Sequence, residues 1–221
     1  MDKELYELVK RISRFQDSQW EEYIISQDRY YRYFGKEDIY CIREKAHELG
    51  EKTAGEVQRK YGNLKKALEA SQVNIRMAED QEFLIPGRIC FGQYYDNEIL
   101  VSSSLVRKVQ EHYEMLQEIL GKFSTEDIIT AHELYHHFED HEDTLTKDQA
   151  QIQVRMLPFV KKHIVPDSAG EISAFSFTKI MTGLKFHPCV LELLSLWDEH
   201  KDYVCRLADT IENFEPAPGK P

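Results

Sequence analysis

Cysteine is scarce. Cys41, Cys90, Cys189 and Cys205 are the only four in 221 residues, and no two are spaced as a C-x-x-C pair. This excludes a zinc ribbon or a disulfide framework, and lone cysteines among apolar neighbours read as small core residues of a reducing compartment. Long hydrophobic runs are missing too. Nothing approaches the roughly 20 apolar residues needed to span a bilayer, and Met1-Asp2-Lys3-Glu4 is charged where a secretory leader would be apolar. Basic residues are outnumbered, 28 against 39 acidic ones, for a net charge of −11. Such a field repels phosphate backbones. The expectation is a soluble cytoplasmic protein that binds neither membranes nor bulk nucleic acid. The basic, tyrosine-rich stretch Arg29 to Lys36 reads as an exposed helix end with snorkelling side chains.

What is present is mostly helical periodicity. Leu5, Leu8, Val9 and Ile12 repeat at helical spacing, and from Asp38 so do Ile42, Ala46, Leu49, Ala54 and Val57. Gly62-Asn63 supplies a stop. Near residue 73 the period changes to two, with Val73, Ile75 and Met77 alternating with polar residues. Pro86-Gly87 is turn punctuation, and Ile89 to Tyr95 and Glu98 to Ser102 read as a hairpin around Asp96-Asn97. Helices are expected again over 104–120, 124–139, 147–160, 169–183 and 188–213. The tail from 215 is too rich in proline to continue one. The predicted fold class is α+β, predominantly α-helical. An N-terminal helical region (1–72) precedes a domain (73–214) with a small antiparallel sheet, followed by a disordered tail (215–221).

The segment His132-Glu133-Leu134-Tyr135-His136 carries the chemistry. Ser124 caps its helix, and Ile128, Ile129, Leu134 and Phe138 give it an apolar side. Histidines four apart lie one turn above each other, so both imidazoles reach one ion. Glu133 points between them. Zinc lowers the pKa of its water towards about 7, and an adjacent carboxylate can take the proton as that water attacks a carbonyl. H-E-x-x-H thus encodes two ligands and a base. One Zn2+ per chain, or another divalent ion, is expected.

A catalytic zinc site takes three protein ligands. Glu171 is the leading third, on a closely packed helix with Ile172, Ala174 and Phe175, where a carboxylate needs a partner. His163 and His187 are its rivals. For stabilising a developing oxyanion, His187 and Tyr203 are both candidates and the sequence does not choose between them.

Three pieces in order form a resemblance: Pro86 to Ser102 as strand-turn-strand, Ile128-Ile-Thr-Ala-His-Glu-Leu-Tyr-His-His-Phe138, and Glu171-Ile-Ser-Ala-Phe-Ser-Phe177. This order is similar to the small zincin metallopeptidases of the ImmA/IrrE type, over roughly residues 73–185. The resemblance implies a zinc peptidase with His132, His136 and Glu171 as ligands and Glu133 as general base. It also implies that an extended peptide or protein substrate pairs with the strand Glu98, Ile99, Leu100, Val101 and Ser102. Departures are Tyr135, where the family has a small residue, which predicts a narrowed cleft, and Phe175 where thermolysin-like enzymes carry an Asp.

Two other readings stand beside this one. A ferritin-like di-metal protein would use Glu133 with His136 and Glu44 with His47, completed by Glu111 and Glu171. A zincin scaffold that keeps its metal without turnover would act as a regulatory or binding module.

Overall fold

The computed structural model describes residues 2–83, 91–141, 149–157 and 159–215. The expected turn at Pro86-Gly87, the strand start at Ile89 and Cys90, the start of the 147–160 helix at Lys147 and Asp148, and the tail from 216 lie outside these residues. Helix dominates, with small sheets, as an α+β chain of this pattern should.

Helix α1 (Lys3–Ile12) starts where Asp2 accepts from the amides of Glu4 and Leu5, and it buries Leu5, Leu8, Val9 and Ile12. The second carboxylate oxygen of Asp2 accepts from the Trp197 indole at 2.9 Å. Helix α2 (Asp17–Ser26) buries Trp20, Glu21 and Ile25. Helix α3 (Lys36–Tyr61) begins two residues before Asp38, because the Asp38 carboxylate takes the amide of Gly35 at 2.8 Å from inside the first turn. It ends at Gly62, whose φ of 89° suits only glycine. Asn63 then caps α4 (Leu64–Ser71).

Strands β1 (Asn74–Ala78), β2 (Gly92–Tyr95) and β3 (Glu98–Ser102) form a sheet in the order β1-β3-β2. The β2–β3 pair is the expected hairpin. Asp96 and Asn97 both take left-handed φ, 49° and 61°, which small polar side chains tolerate in a two-residue turn. The sheet is mixed rather than purely antiparallel, since β1 runs parallel to β3 with Asn74 opposite Glu98. Ser102 ends β3 and caps α5 (Ser103–Glu111), accepting from the amide of Leu105. The single helix expected over 104–120 breaks at His112, and α6 (Tyr113–Leu120) follows.

Helix α7 (Thr125–His141) carries the H-E-x-x-H segment, with Ser124 Oγ accepting from the amide of Asp127 at 3.1 Å. The helix expected over 147–160 is corrected to β4 (Ile152–Leu157) and β5 (Val160–Ile164), an antiparallel pair. Buried Ile152 and Val154 alternate with exposed Gln151, Gln153 and Arg155, a period of two that decides for strand. Helices α8 (Asp167–Thr182) and α9 (Cys189–Glu212) complete the chain.

Helix α8 lies between α3 and α7. Its start is fixed by buried Asp28, which accepts from both the amide and the hydroxyl of Ser168 at 2.9 Å. Against α3 the approach is close: a Cβ on Gly50 would lie 2.4 Å from the carbonyl oxygen of Ser173. The main core joins α1 and α2 to β3, α7, α8 and α9 through Leu5, Trp20, Ile99, Leu134, Phe177 and Trp197. A second cluster packs Ile25, Phe34, Ile39 and Ile42 against Ile152, Val154, Ile164 and Ile172. The N-terminal helices therefore share their burial with the segment that carries Glu171.

Candidate metal centre

Three side chains converge between α7 and α8. His132 Nε2 lies 3.2 Å from His136 Nε2 and 3.3 Å from one oxygen of Glu171, and His136 Nε2 lies 3.9 Å from the other. One donor atom from each falls within 4.8 Å of the others, and no other such group occurs among the described residues. Two donors bound tetrahedrally at zinc's usual 2.0–2.1 Å stand about 3.3 Å apart, so the spacing fits an ion of that size. Two imidazoles and a carboxylate are also a donor set that zinc accepts. Position follows from the fold. The helical repeat stacks the two histidines on α7, and the close α3–α8 contact at Gly50 seats α8 so that Glu171 faces them. Glu171 itself is 49% exposed, so its helix is buried but its carboxylate reaches solvent.

Glu133 stands beside this group and is buried. Burial raises its pKa, against the pull of His132 and His136 and of a hydrogen bond from the Tyr94 amide. β2 approaches α7 closely here. A Cβ on Gly92 would sit 2.8 Å from Glu133 Oε1 and 2.5 Å from Ile129 Cγ2, so any side chain here must displace both neighbours.

The far nitrogens of the two histidines differ. His136 Nδ1 lies 2.9 Å from Glu139 Oε2. Burial opposes charge on this ring, but the Glu139 hydrogen bond and the carboxylates of Glu171 and Glu133 outweigh it and hold its pKa at about 9. His132 Nδ1 is buried with no hydrogen-bond partner among the described residues, and the Phe175 ring packs on its imidazole at 4.7 Å.

A cleft of about 600 Å³ opens beside His136, lined by Tyr94, Tyr95, Asp96, Glu139 and Asp140. The Tyr94 hydroxyl meets His137 Nδ1 at 3.1 Å and donates to Asn97 at 3.3 Å. Tyr135 does not narrow this space. Its ring is fully buried in the core, 5.7 Å from that of Phe177, because the helix turns position 135 away from the ligand face.

Several expectations need correction. The Glu98 to Ser102 strand cannot pair with a substrate edge to edge, because β3 is central and hydrogen-bonded by β1 on one side and β2 on the other. His187 is buried and stacked on Trp20, with Phe175 between it and His132, so it does not reach the cleft. Burial drives its pKa down to about 3. Tyr203 is half exposed on α9 and does not line the cleft. His163 lies on β5 beside Gln153, at 3.0 Å. The second pair of the di-metal reading does not join the first: Glu44 meets Arg43, His47 Nε2 meets Glu21, and among the described residues only His132, His136 and Glu171 lie at metal-ligand spacing. Reading the sequence missed Gly92, Tyr94 and Glu139. Only Glu139 carried a local signal, a carboxylate one helical turn after His136.

No protein family, curated protein or solved structure matches the chain. Among the described residues no helix is long and apolar enough to cross a membrane.

Proposed function

We propose that this chain is a divalent-cation hydrolase, zinc-dependent by the chemistry of its donors, that cuts peptide bonds. One observation carries the reading: the Nε2 atoms of His132 and His136 and the carboxylate of Glu171 converge at metal-ligand spacing beside the buried carboxylate of Glu133. His132, His136 and Glu171 would hold the ion, which when bound supplies a Lewis acid and lowers the pKa of water. Glu133 would take the proton of the attacking water and later pass it to the leaving amine. Burial suits it to this by raising its proton affinity. The Tyr94 amide holds that carboxylate in place. Substrate would enter from the cleft between the β2–β3 turn and the end of α7.

The peptide-bond assignment rests on the likeness of the motif order to the ImmA/IrrE-type peptidases. The proposed partner is a peptide or protein in the cytoplasm rather than nucleic acid or membrane. The net charge of −11 and the free thiols of Cys41, Cys189 and Cys205 support that placement.

The test compares wild type with Glu133→Gln on a peptide library, with zinc content measured in both. The expected result is one zinc in each and hydrolysis lower by about two or more orders of magnitude in the variant. Zinc loss from Glu133→Gln would make Glu133 a ligand and overturn the assignment of roles. Wild type that holds zinc and cleaves nothing would favour the metal-retaining binding module.

A further inference from the structure

We propose that Glu139 is the positioning carboxylate of the metal site, and that Gly170 is the gap in α8 that gives it room. The inference rests on the metal reading above and deepens it. A carboxylate only accepts hydrogen bonds, so with Glu139 Oε2 at 2.9 Å the proton of a neutral His136 ring sits on Nδ1. The lone pair is then on Nε2, the atom that faces His132 and Glu171. Glu139 thus fixes both the tautomer and the ring angle that a Lewis acid requires.

The surroundings are shaped to this contact. A Cβ on Gly170 would stand 3.2 Å from Glu139 Oε1, 3.5 Å from Oε2 and 3.8 Å from Cδ. Any larger residue at 170 crowds the carboxylate towards His136 or off it. Gly170 directly precedes Glu171, so one stretch of α8 both supplies the third donor and leaves space for the carboxylate behind the second. His132 has no equivalent. Its Nδ1 is buried and unpartnered among the described residues, and its ring is held by the packing of Phe175. Among the described residues, of the two imidazoles only His136 therefore has a carboxylate on the ring nitrogen that faces away from the site, and Glu139 is an outer residue to which metal affinity is sensitive.

The test measures zinc affinity by chelator competition and the visible spectrum of the Co2+ form. It uses full-length wild type, Glu139→Ala, Glu139→Gln and Gly170→Ala, and the melting temperature of each metal-free protein. Glu139→Ala is expected to weaken zinc by about 10- to 100-fold and to alter the Co2+ bands. Glu139→Gln, whose amide oxygen still accepts from Nδ1–H, should recover most of the affinity and the wild-type spectrum. Gly170→Ala should shift both readouts in the direction of Glu139→Ala with the charge intact. Unchanged affinity and spectrum in Glu139→Ala, with only a lower metal-free melting temperature, would show that Glu139 merely braces the helix and overturn the inference. A wild type that binds no zinc overturns the metal reading itself, and this inference with it.

Discussion

Gly92 and Glu133 touch across the β2–α7 interface, and the missing Cβ of the one makes room for the carboxylate of the other. Gly92→Ala is therefore expected to cost about 1–3 kcal/mol through overpacking and to displace the proposed base. Gly55→Ala is the control. Its Cβ would meet only the Arg59 guanidinium at 3.6 Å, inside α3, where alanine should stabilise by about 0.5–1 kcal/mol. Thermal melts of the two variants should move in opposite directions. Equal shifts would remove the argument for Gly92.

Gly50 lies in the N-terminal half, yet it should affect the metal. Its Cβ would overlap the Ser173 carbonyl oxygen at 2.4 Å, a backbone atom that cannot turn aside. Gly50→Ala must separate α3 from α8 and carry Glu171 with it. Zinc affinity should fall in this variant, and the check is chelator competition beside His187→Ala and His163→Ala, which should bind zinc as wild type does.

Tyr94→Phe removes one hydroxyl and leaves buried His137 Nδ1 without that partner. An unsatisfied buried polar group costs about 1–3 kcal/mol. Denaturant unfolding should report a loss in that range while zinc stoichiometry stays at one. A neutral result would mean that water takes over the contact.

Two histidines away from the ligands set opposite limits on stability with pH, best measured with chelator present. Burial holds His187 down at about 3, below the ordinary value of about 6.5. Between those values the unfolded chain binds a proton that the native state refuses. Stability therefore falls as pH drops below about 6.5, by about 1.4 kcal/mol per pH unit for this one group. His187→Phe, which can keep the stack on Trp20, should flatten that limb.

His47 works the other way. Its hydrogen bond to Glu21 raises its pKa against the effect of burial. The stabilisation is complete below about 6.5 and is lost as pH rises through the raised value. Urea titrations at stepped alkaline pH should show this loss in wild type and not in His47→Gln. A wild-type profile parallel to that of the variant would exclude the pair as its source.

The histidine helix was legible because three signals agree on it: the cap at Ser124, the apolar repeat from Ile128, and the spacing of His132, Glu133 and His136. Glu171 could be nominated as a carboxylate on a closely packed helix, but its side chain is 49% exposed, so what brings it to the histidines is the seating of α8 and not a need to neutralise a buried charge. The β4–β5 pair was not legible. Its alternation is short, only Ile152 and Val154 among glutamines, and a helix fits the same residues until the packing on Ile39 and Ile42 is known. Glu139 sits next to Asp140 in a charged run that reads as a solvated face, and only α8 arriving at Gly170 gives it a different meaning. His187 and Tyr203 have a chemistry that suits an oxyanion, but their positions, behind Phe175 and out on α9, are tertiary facts that the local sequence does not carry.

The order β1-β3-β2 also constrains how the sheet assembles. β1 comes first in the chain but has nothing to pair with until β3 has formed, and the hairpin that supplies β3 closes through two residues, Asp96 and Asn97. Hairpins of this kind close in about 1–10 μs, whereas a parallel pairing across an intervening segment must first overcome loop closure. β1 is thus the late arrival, added to a β2–β3 template that can already lie against Ile129 and Glu133. The neighbourhood of the proposed base can be in place before the second edge strand of its own sheet has docked.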